Sequence, residues 1–271
     1  MDSLDEVRVV VSGATGKMGR EIVRTILARA DMHLVAALGH ARHLGEDIGE
    51  LVMGEPCGVL VTVDVAEAME AARGGVLVEV STGTNVKDVV LQAFDHDVAC
   101  VVGTTNVPRA DEEEMNTLAN EKGYSLLYAP NFAMGAVLMM RFAAEASRYF
   151  RWAEIIERHH ERKLDAPSGT ARRTAELMNR ARSNSGFRSI TAGEETIKGA
   201  RGGNMGGVRI HSVRMPGIVA QQEVVFGSTE ETFHIIHNST GRACFMPGVI
   251  FAIERVHSIK GVVNGLENII E

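Results

Sequence analysis

The chain is poor in cysteine: Cys57, Cys100 and Cys244 are odd in number, widely spaced and form no Cys-x-x-Cys pair. That spacing argues against a disulfide framework and offers no zinc-binding pattern, so no metal is expected and a reducing cytoplasm fits. Long apolar runs are also missing. The longest, residues 132–140, is too short to span a bilayer, and the acidic opening Met1-Asp2-Ser3-Leu4-Asp5-Glu6 lacks the basic and then apolar order of a signal peptide. Net positive charge is absent as well: the formal charge is −7, which argues against a general nucleic-acid surface, since phosphate binding needs a basic footprint. Internal repeats and low-complexity tails are absent.

What is present is a long globular chain, 271 residues with 45% hydrophobic content, enough for two modest domains. In its first half, strand-like runs (Val7–Ser12, 33–38, 59–63, 76–80, 98–102, Ser125–Tyr128) alternate with helical stretches (17–30, 65–72, Val86–Asp95, Arg109–Lys122). This alternation predicts a parallel, doubly wound α/β sheet with ligand loops at the carboxyl ends of its strands. After Asn131 the pattern changes to a long helix at 133–150, then strands at Val208–Arg214, 220–226 and 232–237. That is an α+β second domain with an open mixed sheet. The expected domains are 1–131, with 241–271 returning to it, and 132–240. The glycine-rich piece 198–207 has no phosphate-loop lysine pattern and reads as a flexible connection or an oligomer loop.

Two segments carry chemistry. Gly13, Gly16 and Gly19 recur every three residues between the first strand and its helix, spacing that lets the backbone approach a pyrophosphate and the helix pack close to the sheet. In the second domain, Glu157-Arg158-His159-His160-Glu161-Arg162-Lys163-Leu164-Asp165-Ala166-Pro167-Ser168-Gly169-Thr170-Ala171 follows a short apolar run and precedes a helix-spaced one. It reads as a strand-to-helix loop. Ser168 is placed as an N-cap, with the amides of Gly169 and Thr170 at the helix start favouring a small carboxylate. His159, His160 and Lys163 supply a proton donor near neutral pH and a positive charge. Arg158, Arg162, Lys163, Arg172 and Arg173 would focus attraction for a small dianion.

The run from Glu157 to Ala171 resembles the signature of the 4-hydroxy-tetrahydrodipicolinate reductase (dihydrodipicolinate reductase) family. The glycine turn, Gly103-Thr104-Thr105, Ala129-Pro130-Asn131-Phe132 and Pro247-Gly248-Val249 fall in the family's order. The resemblance implies a Rossmann-type first domain and NAD(P)H-dependent reduction of a cyclic, imine-type dicarboxylate in diaminopimelate and lysine synthesis. It also implies a cytoplasmic homotetramer. His159 would be the general acid and Lys163 a cationic partner sharing proton donation. His160, Ser168, Gly169 and Thr170 would contact substrate. The cofactor would meet Gly13, Ala14, Thr15, Gly16, Lys17 and Met18, then Gly103, Thr104 and Thr105, and Ala129, Pro130, Asn131 and Phe132.

Three positions depart from the family pattern. Gly39 stands where many members carry the acid that binds the adenosine ribose. With His40, Arg42 and Lys17 near it, NADPH is expected at least to be tolerated alongside NADH. The loop Glu79-Val80-Ser81-Thr82-Gly83 replaces a more usual aspartate, phenylalanine and proline, and Gln221 stands where a histidine is common. His211, His234 and His237 read as structural strand histidines. A short-chain dehydrogenase would need a tyrosine followed four residues later by lysine, which Tyr124, Tyr128 and Tyr149 lack. Semialdehyde-type dehydrogenases would need a nucleophilic cysteine. The remaining alternative is an inactive dinucleotide-binding redox sensor of the same fold.

Overall fold

The computed structural model describes residues 6–82, 85–182, 186–188, 190 and 194–270; the acidic opening at 1–5 and Gly83 lie outside the described residues. The chain divides into two compact units, one of residues 1–132 with 245–271 and one of residues 133–244.

The first unit runs β1 (Val7–Ser12), α1 (Lys17–Leu27), β2 (Met32–Leu38), α2 (Ile48–Met53), β3 (Val61–Thr62), α3 (Val65–Ala71), β4 (Val76–Glu79), α4 (Val86–Asp95), β5 (Ala99–Val102), α5 (Arg109–Lys122) and β6 (Ser125–Tyr128). In the second unit follow α6 (Met134–Ala146), β7 (Trp152–His159), α7 (Gly169–Ala181), β8 (Gly203–Met205), β9 (Val208–Arg214), β10 (Ala220–Ser228) and β11 (Glu231–Ser239). The chain then returns to the first unit with α8 (Met246–Val256) and β12 (Gly261–Asn264).

The first sheet has the order β12-β6-β5-β4-β1-β2-β3, and its pairings are parallel. The order reverses between β1 and β4, the place where such sheets open a crevice beyond their strand ends. Parallel strands are covered on both faces and so read as continuous apolar runs, as Val76–Val78 of β4 and the whole of β5 do; every residue of both strands, Glu79 included, is buried. Helices supply the cover at helical spacing: α4 buries Val86, Val89, Val90, Ala93 and Phe94, and Phe94 stacks on Tyr124 with ring centroids 4.7 Å apart.

Several local expectations are corrected. Helix α1 stops at Leu27 rather than near residue 30, because Ala28 and Arg29 close the last turn and the Arg29 side chain leaves it to pair with Asp31 (2.5 Å) and with Glu254 on α8 (3.1 Å). The long helix after Asn131 ends at Ala146, where Ser147 turns its hydroxyl back onto the Ala143 carbonyl. The stretch 242–256, within the segment expected to return to the first domain, begins as a 3-10 turn, Arg242–Phe245, and becomes α-helical at Met246. Strand β12 went unforeseen although it pairs with β6 at the sheet's edge.

The second unit holds a mixed five-stranded sheet, β11-β10-β7-β9-β8. Strands β7 and β9 are parallel and the other pairs antiparallel. One face takes Ala153, Ile155, Val224 and Phe226, all buried; α6 and α7 pack on each other and on this unit's strands. The glycine-rich segment is not a loose connection. Gly203–Met205 pairs antiparallel with β9, and Gly206 and Gly207, with φ of +62° and +90°, make the two-residue turn between them. Two consecutive positive φ values are what a tight hairpin of the primed type requires, and glycine meets that requirement without strain.

Candidate active site

The ligand edge of the first sheet is built mainly from backbone. Gly13 has a φ of +82°, and a Cβ at position 19 would lie 2.1 Å from the Gly13 carbonyl oxygen, so α1 can start against the turn only with glycine there. No side chain caps this helix, which leaves its first amides to receive an anion. Beside the turn lies a cavity of about 520 Å³, lined among others by Gly13, Thr15, Gly16, His40, Arg42 and Ser81. Its size and glycine floor fit the pyrophosphate and adenosine end of a dinucleotide.

Of the residues expected at the cofactor, Gly13, Thr15, Gly16, His40 and Arg42 line this cavity. Ala14 is buried beneath the turn, while Lys17 and Met18 belong to the first turn of α1. Gly103, Thr104 and Thr105 follow β5, and Ala129, Pro130, Asn131 and Phe132 follow β6, on the same edge of the sheet. Phe132 and Ala129 are buried, and a Cβ at Gly103 would come within 2.5 Å of the Phe132 ring. Their evident work is therefore to pack the loop.

Any side chain at position 39 would have to move its neighbours. A Cβ there would meet Val61 Cγ1 at 2.7 Å and Thr15 Cγ2 at 2.8 Å. The loop that follows is held instead by its own polar groups: the Arg42 N–H donates to His40 Nδ1 (3.1 Å), Arg42 Nε donates to His43 Nε2 (3.1 Å), and His43 Nδ1 faces Glu46 at 2.9 Å. The altered loop after β4 is anchored by Glu79, fully buried, whose Oε1 accepts from the Ser81 N–H (2.7 Å) and from the Thr104 hydroxyl (3.1 Å). Glu79 thus joins two ligand loops. Position alone, at the end of a buried strand, was the available signal for it.

In the second unit the motif begins inside a strand. Pairing of β7 continues through His159, opposite Arg214 on β9 and Ala220 on β10, so His159 stands on a strand end rather than in a free loop. The period-two alternation places Ala153, Ile155, Glu157 and His159 on one face. Glu157 is 0% exposed. Its Oε2 accepts from His159 Nδ1 (2.5 Å) and Arg214 Nη1 (2.9 Å), and its Oε1 from Arg214 Nη2 (2.8 Å) and the Ser168 N–H (3.3 Å). Burial pushes this carboxyl up, but hydrogen bonds from His159, Arg214 and Ser212 outweigh it and hold the group at about 2.

The rest of the motif turns tightly into α7. Lys163 Nζ meets Asp165 Oδ1 at 2.5 Å, and that contact, opposed by partial burial, holds Asp165 below the usual carboxylate range. The Ala166-Pro167 peptide is cis. Ser168, 1% exposed, accepts from the Ala171 N–H at 3.2 Å and is the cap of α7. Around a Cβ built on Gly169 nothing lies within 4 Å, so the space beside the helix start is open, with Thr170 next to it. His160 keeps a buried Nδ1 without a hydrogen-bond partner among the described residues.

The expected cationic cluster is dispersed. Alternation puts Arg158 on the opposite face of the sheet, paired with Glu223 at 3.3 Å, while Arg173 lies 3.8 Å from Glu176. Gln221 shares the Arg158 face, by its register with that residue. His211 and His234 also stand there and bind Glu154 (2.7 Å) and Glu223 (2.9 Å). His237 is packed against Gly135, and burial lowers its pKa. The sequence reading missed Arg214 and gave Glu157 no role, although a charged residue on the apolar face of a strand is a signal in itself. Among the described residues no group of three or more His, Cys, Asp and Glu could hold a metal ion, and no helix is long and apolar enough to cross a membrane.

Comparison with known proteins covers both units. The family described as dihydrodipicolinate reductase, N-terminus, matches residues 7–132, and that described as dihydrodipicolinate reductase, C-terminus, matches residues 135–270. The 4-hydroxy-tetrahydrodipicolinate reductase of Moorella thermoacetica is 44% identical over 265 residues, 98% of each chain. That of Synechocystis sp. is 42% identical over 277 residues, the whole of both. Among solved structures, a dipicolinate-bound dihydrodipicolinate reductase from Paenisporosarcina sp. TG-14 superposes with a TM-score of 0.86 at 38% identity, covering 98% of this chain and 100% of that one. An amine dehydrogenase from Mycobacterium smegmatis, 15% identical with a TM-score of 0.69 over 95% of this chain and 94% of its own, shares the fold.

Proposed function

The chain belongs to the dihydrodipicolinate reductase family, and from that premise we infer which residues carry the family's reaction, the NAD(P)H-dependent reduction of 4-hydroxy-tetrahydrodipicolinate to tetrahydrodipicolinate. In the balance, the 4-hydroxyl leaves as water, and the ring gains one hydride and one proton. The bound reduced nicotinamide supplies the hydride. Gly13, Ala14, Thr15, Gly16, Lys17 and Met18 hold the pyrophosphate on the open start of α1. Gly103 to Thr105 and Ala129 to Phe132 shape the nicotinamide end of the same edge.

The proton is the task of the second unit. His159 donates it. Lys163 pairs with a substrate carboxylate, which must compete with Asp165 for the ammonium, and shares the donation. His160 contacts the ring. The amides of Gly169 and Thr170, held by the Ser168 cap, take the other carboxylate, which must displace Asp165 from the Gly169 amide, and the open space beside Gly169 admits it. The observation that carries this reading is a histidine on a rigid strand end, bonded to a buried carboxylate, in a motif that leads into a helix start with open space around Gly169.

Both reduced cofactors serve, and we propose that NADPH is the better. The 2′-hydroxyl of NADH has no acid at position 39 to receive it, while Arg42 and His40 line the cavity where a 2′-phosphate would sit. The three free cysteines support a reducing cytoplasm. The second sheet, with edges at β8 and β11 and Ile236 57% exposed on its Arg158 face, supports assembly into a homotetramer. Analytical ultracentrifugation checks that number, and a monomer would overturn it. The activity is tested by following NADH and NADPH oxidation with substrate generated in situ. Substrate-dependent oxidation is expected, and none with either cofactor would sink the assignment.

A further inference from the structure

We infer that Glu157 and Arg214 are positioning residues for the proton donor: together they hold His159 with Nδ1 turned inward as a hydrogen-bond donor and leave Nε2 as its working nitrogen. The inference rests on the assignment of His159 as the acid.

A carboxylate removed from water persists only if its oxygens are paired. Glu157 is fully buried, and each oxygen takes at least two donors, from β7, β9 and the start of α7. Arg214 faces it with both terminal nitrogens and also donates to the Val213 and Asp165 carbonyls. One guanidinium therefore ties β9, β7 and the motif loop to the same carboxylate, and the anion cannot swing away from the histidine. A carboxylate held ionised in this way offers only acceptors, so the ring nitrogen against it must carry hydrogen. When His159 gives up the proton on Nε2, its Nδ1–H stays on Glu157, and the neutral ring left behind has one defined tautomer. The same anion stabilises the ring before transfer, while it is a cation.

Among the described residues, the titratable and charged groups on the elements that meet His159 are Glu157 on its own strand, Arg214 opposite it on β9, and His160, Lys163 and Asp165 in the loop that follows; its register partner on β10 is Ala220, and α7 presents the neutral Ser168 at its start. Only Glu157 among them touches the ring.

The test uses the full-length enzyme and three variants, Glu157→Gln, His159→Ala and the double variant. In E157Q kcat should fall about 10- to 100-fold, the usual cost of losing a group that orients a working histidine, while NADPH affinity changes less than threefold. The alkaline limb of its kcat–pH profile should move to lower pH, since the cationic ring has lost its anion. The double variant should be no slower than H159A alone, because one group acts through the other. A drop in E157Q with an unmoved pH limb, or an additive double variant, would reduce Glu157 to a folding role and overturn the inference. Nitrogen NMR of the wild-type ring decides independently of whether E157Q folds: the neutral form of His159 should carry hydrogen on Nδ1, and a ring protonated on Nε2 alone would overturn the inference as well. Should H159A retain full turnover, the assignment of the acid itself fails, a result distinct from failure of E157Q.

Discussion

The ligand edge of the first unit is made largely of main chain, whereas the motif of the second is made of charged side chains bonded to one another. Gly13, Gly16 and Gly19 act by lacking side chains, and the charge they favour comes from peptide dipoles. Glu157, His159, Arg214, Lys163 and Asp165 act through ionised groups that need partners at defined distances. A backbone cradle tolerates change around it and fails when something is added. A buried charge network tolerates additions at its rim and fails when something is removed.

Removal at the network should give the largest effect. His159→Ala or Lys163→Ala is expected to lower turnover by about 100-fold or more, the range for a proton-transfer group, with cofactor affinity nearly unchanged by calorimetry; near-normal turnover in either would free that residue from the chemistry. Addition at the cradle comes next. Gly19→Ala puts a methyl 2.1 Å from a carbonyl oxygen, and overpacking of this kind costs about 1–3 kcal/mol or more, so thermal unfolding should start earlier and NADPH binding weaken.

Acid should separate the two regions without mutation. Glu157 is held at about 2 in the folded chain against an ordinary 4.5. Its stabilisation is complete above the unfolded value and is lost as pH falls from 4.5 toward 2. The linked free energy is roughly 3 kcal/mol, so urea midpoints should drop across that window, and E157Q should flatten the dependence.

Arg42→Ala is a smaller test. NADPH affinity should fall about tenfold, or 1.4 kcal/mol, with NADH unaffected; a strong wild-type preference for NADH would remove the premise. The smallest expected effect is Ser168→Ala, about 1 kcal/mol of stability, the usual cost of an N-cap.

Much of this was legible because it is local. Strands β1, β6 and β9 and helices α4 and α5 sit where apolar spacing placed them, since burial on a sheet or a helix face leaves a periodic trace. The glycine turn and the Ser168 cap were legible for the same reason. What escaped depends on partners far away in the chain. Strand β12 is four residues whose pairing with β6 no local pattern announces. Arg214 reaches Glu157 across 57 positions, and Arg158, one residue from His159, faces the other way because a strand alternates. Gly39 looked like a missing acid, and its close packing against the side chains of Thr15 and Val61 is visible only in the fold.

The Arg29–Glu254 ion pair joins the turn after α1 to α8 across 225 positions, and β12 lies farther still along the chain. A ribosome making this protein has joined all of residues 133–244 before the first unit has its last helix, α8, or its edge strand, β12. Unit two is therefore covalently complete while the nucleotide-binding sheet still lacks α8 and β12. A chain truncated after residue 244 and probed with protease should show a protected second unit beside a cleavable first one.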